Sequence, residues 1–140
     1  MQSTGPLAHM LGVEHPSTLT TMGNLASTYS HQGRWKEAEE LEVQVMETRK
    51  RVLGAEDPST LITMGNLARI YSGQGRWKEA EQLAVQVMEI TKTVLGVEHP
   101  DTLAAMSNLA TMYRNQGMLS EAEMLKAQTM EINQLEGVLP

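Results

Sequence analysis

One phrase is spelled three times along this chain, at a fixed step of 42 residues. Leu11-Gly12-Val13-Glu14-His15-Pro16, Leu53-Gly54-Ala55-Glu56-Asp57-Pro58 and Leu95-Gly96-Val97-Glu98-His99-Pro100 keep that step. So do Asn24, Asn66 and Asn108, then Tyr29, Tyr71 and Tyr113, then Gly33, Gly75 and Gly117. A period in this range marks stacked supersecondary units that cannot bury their apolar faces alone. Such arrays mostly present a surface and seldom enclose a reaction. The repeat bounds read as 11–52, 53–94 and 95–136, with a flank at 1–10 and a tail at 137–140.

Each unit divides at Gln-Gly. Before it, Leu19, Met22, Leu25, Ala26 and Tyr29 fall at spacings of three and four, an apolar stripe at the helical period. His15, Asp57 and His99 can cap the helix that follows, and Pro16, Pro58 and Pro100 suit its first turn, where a missing N–H is no loss. Gly33 and its equivalents suit a left-handed stop. After the turn, Trp35, Ala38, Leu41, Val45 and Val52 form a second stripe. Glu37 and Glu39 begin that helix and Arg49, Lys50 and Arg51 end it, complementing its dipole. No stretch alternates at the strand period. The expectation is an all-α chain of three antiparallel helix hairpins, about six helices.

Composition narrows the function classes. A net charge of −6 and a pI near 5.2 argue against nucleic acid, whose binders carry a basic stripe. No run of about 18 apolar residues is present, so no membrane span is expected. No charged-then-apolar leader signals secretion. With no cysteine, disulfides and thiolate metal sites are excluded, which fits a reducing compartment; the cytoplasm is the expected location. Gly5-Pro6 and the closing Ala8-His9-Met10 match nothing one step later, and the latter resembles a cloning junction. The chain reads as a piece of a longer array. The alternatives are a short natural protein and an engineered consensus-like array, against which the irregular third unit argues.

Asn-Leu-Ala-x-x-Tyr followed by Gln-Gly-x-x-x-Glu-Ala-Glu resembles the tetratricopeptide repeat. Leu25, Ala26, Tyr29 and Ala38 stand where that motif takes large, small, aromatic and small residues. The ordinary repeat has about 34 residues. The longer period here, with Leu-Gly-x-Glu-His-Pro-x-Thr-Leu, resembles the kinesin-light-chain subclass, and the near-identical copies resemble the C-terminal arrays of fungal nucleotide-binding, immune-receptor-like proteins. The resemblance covers residues 11 to about 134. It implies a right-handed alpha-solenoid in which first helices line a concave groove and second helices lie outside.

Off the first-helix stripe stand Thr20, Gly23, Asn24, Ser27, Ser30 and His31. Their counterparts are Ile62, Gly65, Asn66, Arg69, Ser72 and Gly73, then Ala104, Ser107, Asn108, Thr111, Arg114 and Asn115. Small polar residues there are unusual for an exposed helix face. Mid-helix Gly23 and Gly65 cost about 0.5–1 kcal/mol against Ala, which close approach of a neighbouring helix or a ligand backbone would explain. Asn24, Asn66 and Asn108 carry amides that donate and accept and so can pair with an extended peptide backbone. The resemblance implies the same, since equivalent asparagines hold peptides in the kinesin-light-chain class. The alternative is that each Asn bonds a neighbouring repeat and sets the stacking.

Arg69 and Arg114 break register with Ser27, Thr111 and Ser72, and two arginines would favour an acidic peptide. The alternative is solvated charge on an acidic protein. Trp35 and Trp77 are expected to pack against the adjacent hairpin, and the repeated methionines to fill core, with Met112, Met118 and Met124 adding adaptable apolar surface. No phosphate loop, His-Glu-x-x-His or Gly-x-Ser-x-Gly is present. His15 and His99 alternate with Asp57, which suits capping and spoils a shared catalytic or metal role. The expectation is a non-catalytic scaffold, without cofactor or metal, for a protein or peptide segment. Its rival is homo-oligomerisation, by end-to-end stacking or helix-pair swapping, of a larger receptor-like protein.

Overall fold

The computed structural model describes residues 14–138, and every regular element among them is helical. They form two compact units that meet at Gln74/Gly75. Unit 1 holds α1 (Pro16–His31), α2 (Trp35–Leu53) and α3 (Pro58–Gly73); unit 2 holds α4 (Trp77–Leu95), α5 (Pro100–Asn115) and α6 (Leu119–Val138). The flank at 1–10 and residues 139 and 140 lie outside the described residues, and α6 runs through Gly137 and Val138.

Helix starts follow the cap chemistry. His15 Nδ1 accepts from Ser17 N at 3.1 Å, Asp57 Oδ1 from Ser59 N at 2.9 Å and His99 Nδ1 from Asp101 N at 3.0 Å. Each cap is extended and followed by proline. The first helices end at Gly33, Gly75 and Gly117, with φ of 75°, 75° and 80°. This left-handed conformation reverses the chain at little steric cost only for glycine.

In unit 1, α2 packs on both α1 and α3; in unit 2, α5 packs on both α4 and α6. The core of unit 1 gathers Leu19, Met22, Ala26, Leu41 and Val45, with Tyr29 against it. Ala80, Ala84, Met106, Leu109, Ala110 and Ala122 are buried in unit 2. A repeated polar link accompanies the packing. Gln74 Nε2 donates to Glu39 Oε1 at 3.0 Å, and Gln116 Nε2 donates to Glu81 Oε1 at 2.7 Å.

The stripes need three corrections. Leu25 is 39% exposed although Leu67 and Leu109, in the same register, are 2% exposed. α3 and α5 each pack against the helix before them, whereas no described helix precedes α1. Val52 is 47% exposed, at the end of its stripe, and Met112 is buried core where adaptable surface was expected.

Candidate functional site

A cavity of about 650 Å³ opens in unit 1. All six residues of α1 that the stripe left spare, Thr20, Gly23, Asn24, Ser27, Ser30 and His31, line it. Asn66, Arg69 and Ile70 of α3 and Trp35, Glu42 and Arg49 of α2 complete most of the wall. The spacing of three and four that buries Leu19, Met22 and Ala26 therefore turns the intervening residues onto one surface.

Of the residues singled out from the sequence, the structure brings Asn24, Ser27, Asn66 and Arg69 to this cavity. Asn108, Thr111 and Arg114 lie exposed along α5 of unit 2, with Thr111 Oγ1 donating to Ser107 O at 3.1 Å. Unit 2 has its own smaller cavity, about 210 Å³, walled by Met88, Met106, Leu125, Ile132 and Leu135 among others. None of the predicted site residues lines it.

Asn66 is engaged through its amide oxygen. Its Oδ1 accepts from Arg69 Nη2, and Glu42 of the preceding repeat stands on the same cavity wall. Glu42 is 3% exposed, and its Oε1 is buried without a hydrogen-bond partner. Burial pushes its carboxyl above the ordinary value, while nearby Asn66 and the charges of Arg49 and Arg69 pull it back. Arg49, half-buried, donates from Nη1 to Thr63 Oγ1 at 2.7 Å. His31 Nδ1 lies 2.7 Å from Ser27 O.

Sequence reading passed over Glu42 and Arg49, having assigned Arg49 only to the helix dipole. A signal was present: register 42 reads Glu42, Ala84, Lys126 and register 49 reads Arg49, Thr91, Asn133. Charged residues stand in the first copy where the second carries buried Ala84 and Thr91.

The glycines answer differently from expectation. A Cβ at Gly65 would meet nothing within 4 Å, and one at Gly23 would meet only Glu42 Oε1 at 4.0 Å. Close helix approach is therefore not their reason. Gly73 is the tight one: a Cβ there would sit 2.4 Å from Cη2 of Trp35. Trp35 thus packs on the end of α3, as expected for a residue bracing the adjacent hairpin.

Among the described residues no group of three or more His, Asp or Glu could hold a metal, and no helix is long and apolar enough to cross a membrane.

Comparison with known proteins places these observations. The family model for the tetratricopeptide repeat matches residues 7–51, 17–93 and 74–134. No curated protein matches. A crystal structure of a kinesin-light-chain-type protein from Podosopora anserina, with nearly identical TPR-like repeats, is 36% identical; a variant form of that protein is 37% identical. Both superpose with a TM-score of 0.85 over 94% and 93% of this chain. The chain spans 63% and 61% of the length of those two structures. BtubC from P. vanneervenii, 18% identical, matches 96% of this chain and 54% of its own with a TM-score of 0.85, a likeness of fold alone. The fold class is thus the helical solenoid of TPR-like hairpins.

Proposed function

The chain belongs to the tetratricopeptide repeat family, whose members mediate protein–protein interaction, and on that premise we propose a non-catalytic scaffold that binds an extended protein segment. The observation that carries the reading is the unit 1 cavity. Every spare residue of α1 lines it, together with an asparagine and an arginine of α3. Asn24 offers a donor and an acceptor to a peptide backbone. Open space over Gly23 lets a ligand main chain approach. Arg69 favours an acidic side chain on the ligand. Asn108, Thr111 and Arg114 present the same chemistry on α5. The cytoplasm remains the compartment that the cysteine-free composition suits.

The test is selection of random dodecapeptides on the chain, followed by titration against the triple variant Asn24→Ala, Asn66→Ala, Asn108→Ala. Micromolar binders are expected, lost in the variant while far-UV circular dichroism and thermal midpoint stay put. An unfolded variant would instead make the asparagines stacking residues. Failure to select any micromolar binder would remove the groove reading.

A second reading is self-association within a larger receptor-like protein. It draws on Leu119, Met124, Met130 and Leu135 of α6, which are 53–65% exposed, apolar area that association with a second copy would remove from water. Light scattering over a concentration series separates the two readings. A strict monomer at high concentration would dispose of the second.

A further inference from the structure

We infer that α6 of one copy of this chain seats on α1 of a second copy, in the register in which α2 packs on α3 and α4 on α5. Glu123 of the first copy then accepts from Gln32 of the second. The inference deepens the self-association reading given above and rests on it.

A link made twice is left half-made at two places. Gln74 donates to Glu39 and Gln116 to Glu81. In each pair the glutamate stands on the second helix of one hairpin, and the glutamine closes the first helix of the next. All four residues are half-buried. One 42-residue step beyond Glu81 stands Glu123, on α6, and one step before Gln74 stands Gln32, which closes α1. Both are exposed, and neither makes this link among the described residues. Each lacks the group that the other carries.

The helix faces around them agree. Leu67 and Leu109 are 2% exposed, each on a helix packed against the one before it, while Leu25 in the same register is 39% exposed. Arg49 donates to Thr63 Oγ1, whose own proton goes to Ser59 O. In the junction the Asn133 amide, also a donor, comes to Thr21, whose proton likewise goes to its own helix at Ser17 O. Both Asn133 and Thr21 are exposed. Trp35 packs so closely on Gly73 that an added Cβ would clash; the junction sets the smaller Leu119 against the larger His31 in those two registers. Lys126 takes the register of Glu42 and comes beside Asn24, whose amide oxygen can accept from it. Covering Leu25 and Leu119 removes apolar surface from water. A contact between two different faces is heterologous and leaves one face free on each partner, so copies add in series.

Sedimentation equilibrium of the chain from micromolar to millimolar concentration is the first test. The average mass is expected to pass twice the monomer value without levelling there. Gln32→Glu sets carboxylate against carboxylate and should weaken association about tenfold. The double variant Gln32→Glu, Glu123→Gln exchanges the two groups and should restore it. Both positions are exposed, and circular dichroism checks that the variants keep the fold.

The chain has no cysteine, so a mixture of Gln32→Cys and Glu123→Cys reports the pairing directly. With one variant labelled with nitrogen-15, mass spectrometry separates the products of air oxidation, and the mixed disulfide is expected to form faster than either like-with-like one. Association that ignores Gln32→Glu, or faster like-with-like disulfides, would overturn this junction and leave self-association through other faces standing. A monomer at millimolar concentration would overturn both.

Discussion

At the scale of single residues, the absence of a Cβ has opposite meanings within one helix of this molecule. Gly73 makes room for the Trp35 indole, which would stand 2.4 Å from an added Cβ, so Gly73→Ala is expected to destabilise by about 1–3 kcal/mol as the ring is pushed aside. Gly65, open on every side to 4 Å, is expected to respond to Ala with a gain of about 0.5–1 kcal/mol. Urea titrations of the two variants check both signs. Glu42 sets a third residue-scale expectation. Burial raises its carboxyl above the ordinary value of 4.5, so the folded state holds the proton more tightly than the unfolded chain. Stability then falls as pH rises from about 4.5 through the higher folded value, and levels above it. Glu37 and Glu79 slope the other way: a backbone hydrogen bond with help from Arg34, and the Arg76 bond, hold them low. Their contribution is gained with rising pH below the ordinary value. Glu42→Gln should remove the decline above pH 4.5 and leave the lower slope; identical profiles for variant and wild type would contradict it.

At the scale of the element, the bounds of the first helix of each hairpin were legible because they are set by local chemistry. Caps at His15, Asp57 and His99, prolines one residue later and positive-φ glycines at 33, 75 and 117 require no knowledge of neighbours. Leu25 was not legible, because a periodic stripe says that a face is apolar and not whether anything lies against it. The same register therefore separates two mutants: Leu67→Ala should cost about 2–5 kcal/mol and Leu25→Ala under about 1 kcal/mol, read by thermal unfolding. His15→Asp should add about 0.3–1 kcal/mol. The first turn of α1 has no acidic residue, and a carboxylate there complements the dipole as Asp57 does. Of the candidate site, the α1 positions were legible by subtraction from the stripe. Glu42 and Arg49 were not, since a charged residue on an amphipathic helix reads as solvated until the opposing surface is known.

At the scale of the whole molecule, the 42-residue step led to the fold class and to the family. It did so because a repeated sequence needs a repeated packing solution, and few such solutions exist at that length. The partner is left open by the same logic: what repeats is what packs, and departures such as Arg69 and Glu42 fall outside that rule. The amide–carboxylate links Gln74–Glu39 and Gln116–Glu81 each join residues 35 apart. Bonds that reach only to the next module make for low contact order, and chains of that kind close small loops and escape the slow search of distant segments. Stopped-flow refolding should accordingly finish within milliseconds. Once Glu39 has left a ribosome, only the next 35 residues need follow for its link to Gln74 to form, so a nascent array can set while its remainder is still being made.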